Sequence, residues 1–98
     1  MTQVIWAPQA ILDVEAIRAH VARDSARYAA LVVERLVAAV ERLQDHPRSG
    51  GVVPELGDES IREIIRGNYR IVYRLRSDVV EIATVFHGAR LFRLEGEP

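Results

Sequence analysis

Arginine and histidine are the side chains in this sequence with chemistry to offer, and they are unevenly placed. Residues 60–93 carry seven Arg against three acids, whereas residues 1–59 carry six Arg against nine acids. A basic surface of this kind suits an acidic partner or a phosphate backbone, although solvent-facing strand positions also simply need charge. His87, which closes the run VVEIATVFH, is the one histidine in the basic segment. Its functional reading is a polar contact at the mouth of a concave face. Its plainer reading is a strand-end histidine bonded to nearby backbone. His20 falls in a helical pattern and His46 in a loop, and no spacing joins the three as metal ligands. Cysteine is absent, which excludes disulfides and thiolate metal sites. Gly50-Gly51 follows a helical pattern instead of opening one, so it is not a phosphate-cradling loop. No serine stands in a nucleophile constellation. All thirteen basic residues are Arg, which excludes lysine-dependent chemistry. Neither a metal nor a cofactor is expected.

The elements that position these residues are legible from periodicity. Tyr69, Ile71, Tyr73 and Leu75 alternate with Arg70, Val72, Arg74 and Arg76, which predicts a half-buried strand. Ser77-Asp78 supplies a turn before a second β-rich run, Val79 to His87. A two-residue turn places Leu75 opposite Val80, Tyr73 opposite Ile82 and Tyr69 opposite Phe86, with Arg74 facing Glu81 on the other side. The apolar members, Phe86 included, are expected beneath the helices. Ile61 to Ile65 reads as the preceding strand, joined through Gly67-Asn68. A two-residue turn there puts Ile61, Glu63 and Ile65 on the face of Arg70; a three-residue turn with a bulge puts Arg62, Ile64 and Arg66 there instead. Both remain open at the level of sequence.

Upstream, Gln3 to Trp6 is a short β-prone run stopped by Pro8, which suits the first turn of a helix. Ile11, Val14, Ile17 and Val21 recur at helical spacing. Asp24 or Ser25 is the expected N-cap of a second helix running to about Gln44, with Ala29, Val33, Leu36, Val40 and Leu43 as its apolar stripe. Asp45 to Ser60, with Pro47, Gly50, Gly51, Pro54 and Gly57, reads as loop. Ninety-eight residues with about half of them hydrophobic make one globular domain, residues 1–98. The apolar runs are too short for a membrane span, and MTQVIWAPQAIL does not read as a signal peptide. A cytoplasmic location is expected.

RGNYRIVYRL, a short acidic turn and VVEIATVFHGAR together resemble the C-terminal sheet of the RelE/ParE superfamily of bacterial toxins, and HPRSGG resembles the punctuation after that superfamily's second helix. The resemblance extends over nearly the whole chain. It implies an α+β fold in the order β-α-α-β-β-β, with a helical hairpin packed on a small, mainly antiparallel sheet. It implies the toxin of a type II toxin–antitoxin pair, growth inhibition, and an antitoxin as partner. The ParE-like branch, associated with DNA gyrase inhibition and plasmid stabilisation, fits better than the RelE-like mRNA nucleases. Arg70 lies where those nucleases keep an arginine for the scissile phosphate, and with His87 it is the candidate catalytic pair under that rival reading. Arg70 is equally suited to stacking across the sheet or pairing with Glu81. The tail GARLFRLEGEP lacks the C-terminal Tyr or His that such nucleases often use. A toxin that retains only antitoxin binding is the third reading. Candidate target contacts are Arg70, Arg74, His87, Arg90, Phe92 and Arg93, and candidate antitoxin contacts are Trp6, Ile17 and Val21.

Overall fold

The structure, a computed structural model, describes residues 2–88. Strand β1 (Gln3–Trp6) leads directly into helix α1 (Pro8–Ala22), and helix α2 (Ala26–Glu41) follows, tightening into a 3-10 turn at Arg42–Gln44. Strands β2 (Gly51–Val52), β3 (Ile61–Arg66), β4 (Tyr69–Arg76) and β5 (Val79–His87) come after. They form one five-stranded sheet in the order β1-β5-β4-β3-β2, parallel between β1 and β5 and antiparallel elsewhere. The two helices lie on one face of it. This is the α+β architecture expected, with the short β2 added inside the segment expected to be loop. No helix among the described residues is long and apolar enough to cross a membrane.

Local chemistry sets the helix boundaries. Ala7 is extended, and its N–H continues the β1 ladder to the Ile82 carbonyl at 2.9 Å before Pro8 opens α1. That link fixes the rotation at which the helix starts. The buried stripe on α1 is therefore Ala10 with Val14, Ile17 and Val21 beside it, and Ile11, expected to belong, is 48% exposed. Ser25 caps α2, its hydroxyl accepting from the Tyr28 N–H at 3.0 Å. Ala29, Leu36, Val40 and Leu43 are buried as expected and Val33 is half-buried. Asp13 does more than face solvent. Its carboxylate accepts from the Val85 N–H at 3.0 Å and from the Thr84 hydroxyl, holding α1 against β5 where β1 has ended.

The β4–β5 hairpin turns on Ser77-Asp78, with Ser77 at φ 47°. Leu75 faces Val80, Arg74 faces Glu81 and Tyr73 faces Ile82, as the alternation predicts. The register then slips. Ala83 has no partner on β4, so Val72 faces Thr84, Arg70 faces Phe86 and Tyr69 faces His87. The expected Tyr69–Phe86 pair is thus replaced, because one extra residue exchanges the two faces from there on. Phe86 leaves the helix-covered core and Val85 takes its place there. Between β3 and β4 the two-residue turn is the one adopted: Ile65 faces Arg70, and Gly67 supplies φ +57°. Ile61, Glu63 and Ile65 therefore share the face of Arg70.

Two apolar cores result. The larger, between helices and sheet, centres on Leu36, Leu43, Ile71, Tyr73, Val80 and Ile82; the smaller, on the opposite face, joins Val53, Val72 and Phe86 beneath Leu56 and Ile61. Tyr73 ties the larger core to the loop. Its hydroxyl accepts from the Gly50 N–H at 2.9 Å, and burial pushes its pKa up. A Cβ at Gly50 would stand 2.5 Å from the Glu63 carbonyl oxygen and 2.6 Å from the Tyr73 hydroxyl. Glycine is required there by close approach.

Gly50→Ala should therefore cost about 1–3 kcal/mol in urea unfolding, the range for overpacking. Gly51→Ala, where nothing lies within 4 Å of the new Cβ, should cost less than about 1 kcal/mol. Tyr73→Ala should cost about 3–5 kcal/mol. The folded state keeps Tyr73 protonated above pH 10, where the unfolded chain ionises it. Stability should then fall as pH rises past that value, and Tyr73→Phe should flatten the fall.

Candidate functional site

Arg70, the second residue of the central strand β4, projects onto the face opposite the helices, and it is only 7% exposed. A buried guanidinium is costly unless its donors are met by anions of matching geometry. Two carboxylates meet it. Glu55 closes a fork, with Nη1 to Oε2 at 2.7 Å and Nη2 to Oε1 at 2.9 Å. Oε1 of Glu63 accepts from Nε at 2.7 Å and lies 2.5 Å from Nη2. The guanidinium also sits over the Phe86 ring, 5.3 Å from its centroid. Hydrogen bonding to Glu55, with support from Glu63, outweighs desolvation and lifts the Arg70 pKa further above its ordinary range. It is a permanent cation.

Each partner arrives for an identifiable reason. Glu63 lies on the face of Arg70 because the Gly67-Asn68 turn has two residues, a register the sequence had left open. Phe86 is there because of the bulge at Ala83. Glu55 is delivered by the turn after β2, where the Leu56 and Gly57 N–H groups both donate to the Val53 carbonyl and Val53 and Leu56 pack over Val72 and Phe86. Arg62 secures the same loop region by donating to the carbonyls of Gly50 at 3.0 Å and Glu59 at 3.0 Å. The expectation that Arg70 pairs with Glu81 is corrected: Arg76 is the arginine that reaches Glu81, at 3.7 Å.

The other candidates are dispersed. His87 faces Tyr69, with the ring centroids 6.0 Å apart and edge-on. Adjacent strand residues point to opposite faces, so Arg70 and His87 lie on opposite sides of the sheet. Arg74 shares the face of Arg70 and is half-buried. Trp6 is half-buried against the larger core and lines a pocket of about 200 Å³ with Val4, Val37, Val40, Glu41 and Gln44. Ile17 and Val21 also pack partly into that core. Arg90, Phe92 and Arg93 lie outside the described residues. Among the described residues no group of three His, Cys, Asp or Glu side chains is placed to hold a metal ion. The chemistry open to this face is ionic and structural. A phosphate reaching Arg70 would have to displace a carboxylate already in the fork, leaving that carboxylate uncompensated.

A second concave feature runs along one flank of α2, where it meets the β3–β4 turn. This groove, of about 380 Å³, has an apolar floor that includes Val32, Leu36 and Tyr69, with Arg35, Arg42 and Arg66 around it. Sequence reasoning missed it because its residues come from one helix and one turn that only the fold brings together.

The family model described as the ParE toxin of the type II toxin–antitoxin system parDE matches residues 4–92. Toxin RelE2 of Caulobacter vibrioides is 32% identical over 92 residues, covering 93% of this chain and all of that protein. Putative toxin Y4kP of Sinorhizobium fredii is 35% identical over 89 residues, covering 87% of this chain and 86% of that one. Among solved structures, a chain of the chromosomal ParDE toxin–antitoxin system of P. aeruginosa superposes with a TM-score of 0.74 at 22% identity, over 89% of this chain and 96% of that one. A chain of the RelBE2 toxin–antitoxin complex of Mycobacterium tuberculosis superposes with a TM-score of 0.55 at 26% identity, over 88% and 96%.

The ion cluster makes its own prediction. Arg70→Ala removes the cation and leaves two carboxylates facing each other, so it should destabilise the fold by about 3–5 kcal/mol in urea. Arg70→Lys should recover little of this, since an ammonium cannot form the fork with Glu55. Recovery of full stability by Lys would show that charge alone matters there.

Proposed function

This chain belongs to the ParE toxin family of type II toxin–antitoxin systems, and on that premise we propose that it arrests growth by binding and poisoning DNA gyrase in the cytoplasm. The observation that supports a binding mechanism over catalysis is the state of Arg70. RNA cleavage by an attacking 2′-hydroxyl needs a base, an acid and an available cation gathered around one phosphate. Here Arg70 is buried and forked by Glu55, and His87 projects from the opposite face. An inhibitor needs no such set. Its work is spread over a surface, for which Arg74, His87 and the C-terminal run of Arg90, Leu91, Phe92 and Arg93 are the candidates.

Under the same proposal an antitoxin holds the chain silent. Two of the superposed structures come from toxin–antitoxin systems, one of them described as a toxin–antitoxin complex. An antitoxin here should bury about 1,200 Å² or more, using an apolar groove and an open sheet edge together. The rival reading, a ribosome-dependent mRNA nuclease, has in its favour the RelE name of the Caulobacter relative.

Two assays on the purified chain separate the readings. Gyrase supercoiling should be inhibited with accumulation of DNA cleavage complexes, and mRNA on programmed ribosomes should stay intact. Deleting residues 91–98 should weaken the gyrase effect about 30-fold or more, the equivalent of losing an interface anchor of about 2 kcal/mol. Ribosome-bound mRNA cut by the wild type would overturn the gyrase assignment. A chain tolerated by cells at high expression would leave only antitoxin binding.

A further inference from the structure

We propose that the open edge of β1 is a self-association surface, through which two copies of this chain pair antiparallel about a two-fold axis at Ile5. The inference is independent of the toxin's target and of its antitoxin, because it rests on backbone groups that the fold leaves unmet. β1 lies at one end of the sheet, parallel to β5. The Gln3 N–H donates to the Asp78 carbonyl at 3.1 Å, and the Ala7 N–H donates to the Ile82 carbonyl at 2.9 Å. Backbone groups alternate sides along a strand, so Gln3, Ile5 and Ala7 face β5 while Val4 and Trp6 turn their N–H and C=O groups outward. Those outward groups have no partner among the described residues. The open stretch also has fixed ends. The Thr2 N–H is taken by the Gln44 carbonyl at 2.9 Å, and Pro8 has no N–H.

The side chains of this edge invite pairing. Sheets commonly guard an exposed edge with charged side chains, proline or a covering segment. Toward the opposite edge such guards are present: β2 covers part of β3, which carries Arg62, Glu63 and Arg66. Gln3-Val4-Ile5-Trp6 carries no charge. Val4 and Trp6 are half-buried against the larger core, and beside them Val37 on α2 is 36% exposed. Ile5 points to the opposite face of the sheet and is 43% exposed. The strand thus offers apolar surface on both faces together with its open backbone groups.

The spacing of the open groups selects the partner. Val4 and Trp6 are two residues apart with Ile5 between them, so an antiparallel second copy sets Val4 against Trp6 and Trp6 against Val4. Each of these pairs exchanges both N–H···O bonds, and every open group on both copies is met. Ile5 then faces its own symmetry mate as a non-hydrogen-bonded pair, with the Cα atoms about 4.5 Å apart. A two-fold contact requires such a patch, one that complements itself. The pairing joins two five-stranded sheets into one continuous sheet. A single short strand pair is a small interface, so the association is reversible and concentration-dependent.

The test is sedimentation equilibrium of the purified full chain from micromolar to submillimolar concentration. The mass should rise from 11.0 kDa toward twice that value. Ile5→Arg sets two like charges against each other across the axis, so it should raise the dimer dissociation constant about 100-fold or more. Its thermal unfolding should match the wild type, because the substituted side chain is exposed. Ile65→Arg, at an exposed apolar position toward the other end of the sheet, should leave the dissociation constant unchanged. Cross-linking supplies a second readout. The chain has no cysteine, so Ile5→Cys places one thiol on each copy. A Cα separation of about 4.5 Å suits a disulfide. Mild oxidation should link Ile5→Cys chains into dimers and leave Ile65→Cys chains single. A wild-type chain that stays at 11.0 kDa at submillimolar concentration would overturn the proposal. A dimer that Ile5→Arg leaves intact would also overturn it, as would Ile65→Cys chains that link as readily as Ile5→Cys chains.

Discussion

A guanidinium enclosed by two carboxylates is what the open face of this sheet depends on. Arg70 gathers Glu63 from β3, Glu55 from the turn after β2 and the Phe86 ring from β5. Taking that charge out of water is unfavourable by several kcal/mol, and the ionic geometry offsets the cost only with all partners in register. A one-residue slip of β4 would drive Arg70 into the core beneath the helices, where Ile71 and Tyr73 now sit. Register is therefore fixed from both faces, by apolar side chains on one and by this cluster on the other. The loop benefits as well. Glu55 holds the turn that lets Val53 and Leu56 cover Val72 and Phe86.

Much of this architecture is legible in the sequence. The alternation through Tyr69–Arg76, the Ser25 cap and the stripe on α2 each report a local rule that the fold obeys. What escaped reading depends on long-range geometry. The bulge at Ala83 has no Gly or Pro to announce it, and the run VVEIATVFH alternates too weakly to place an extra residue. Once it is present, Phe86 and His87 exchange faces, which separates His87 from Arg70. Glu55 lay in a segment rich in Pro and Gly, where only the tertiary path shows which side chain comes back to the sheet. The bond of Asp13 to β5 has no local signal either, because nothing in the helical pattern says that β1 stops short of Val85.

The two faces accordingly take different roles. The helix-covered side supplies the stability, and its margin along α2 supplies a basic, apolar groove. The opposite side keeps its central arginine internally neutralised, with Arg74 and the Arg76–Glu81 pair farther along the strands. A domain arranged in this way presents surfaces for recognition, and its most chemically suggestive residue serves the fold. Membership of the ParE toxin family and a buried, doubly paired Arg70 are mutually consistent under a mechanism that works by binding.

The most direct measurement is growth arrest by a chain whose ion cluster has been replaced by neutral side chains of similar size, Arg70→Met with Glu55→Gln and Glu63→Gln. Exchanging all partners together avoids the stranded charge that a single substitution leaves, and such replacements are commonly near neutral in stability. With folding verified by its unfolding transition, this variant should still arrest growth and still accumulate gyrase cleavage complexes. A folded variant that no longer arrests growth would contradict an architectural role for Arg70 and return it to the chemistry of the toxin.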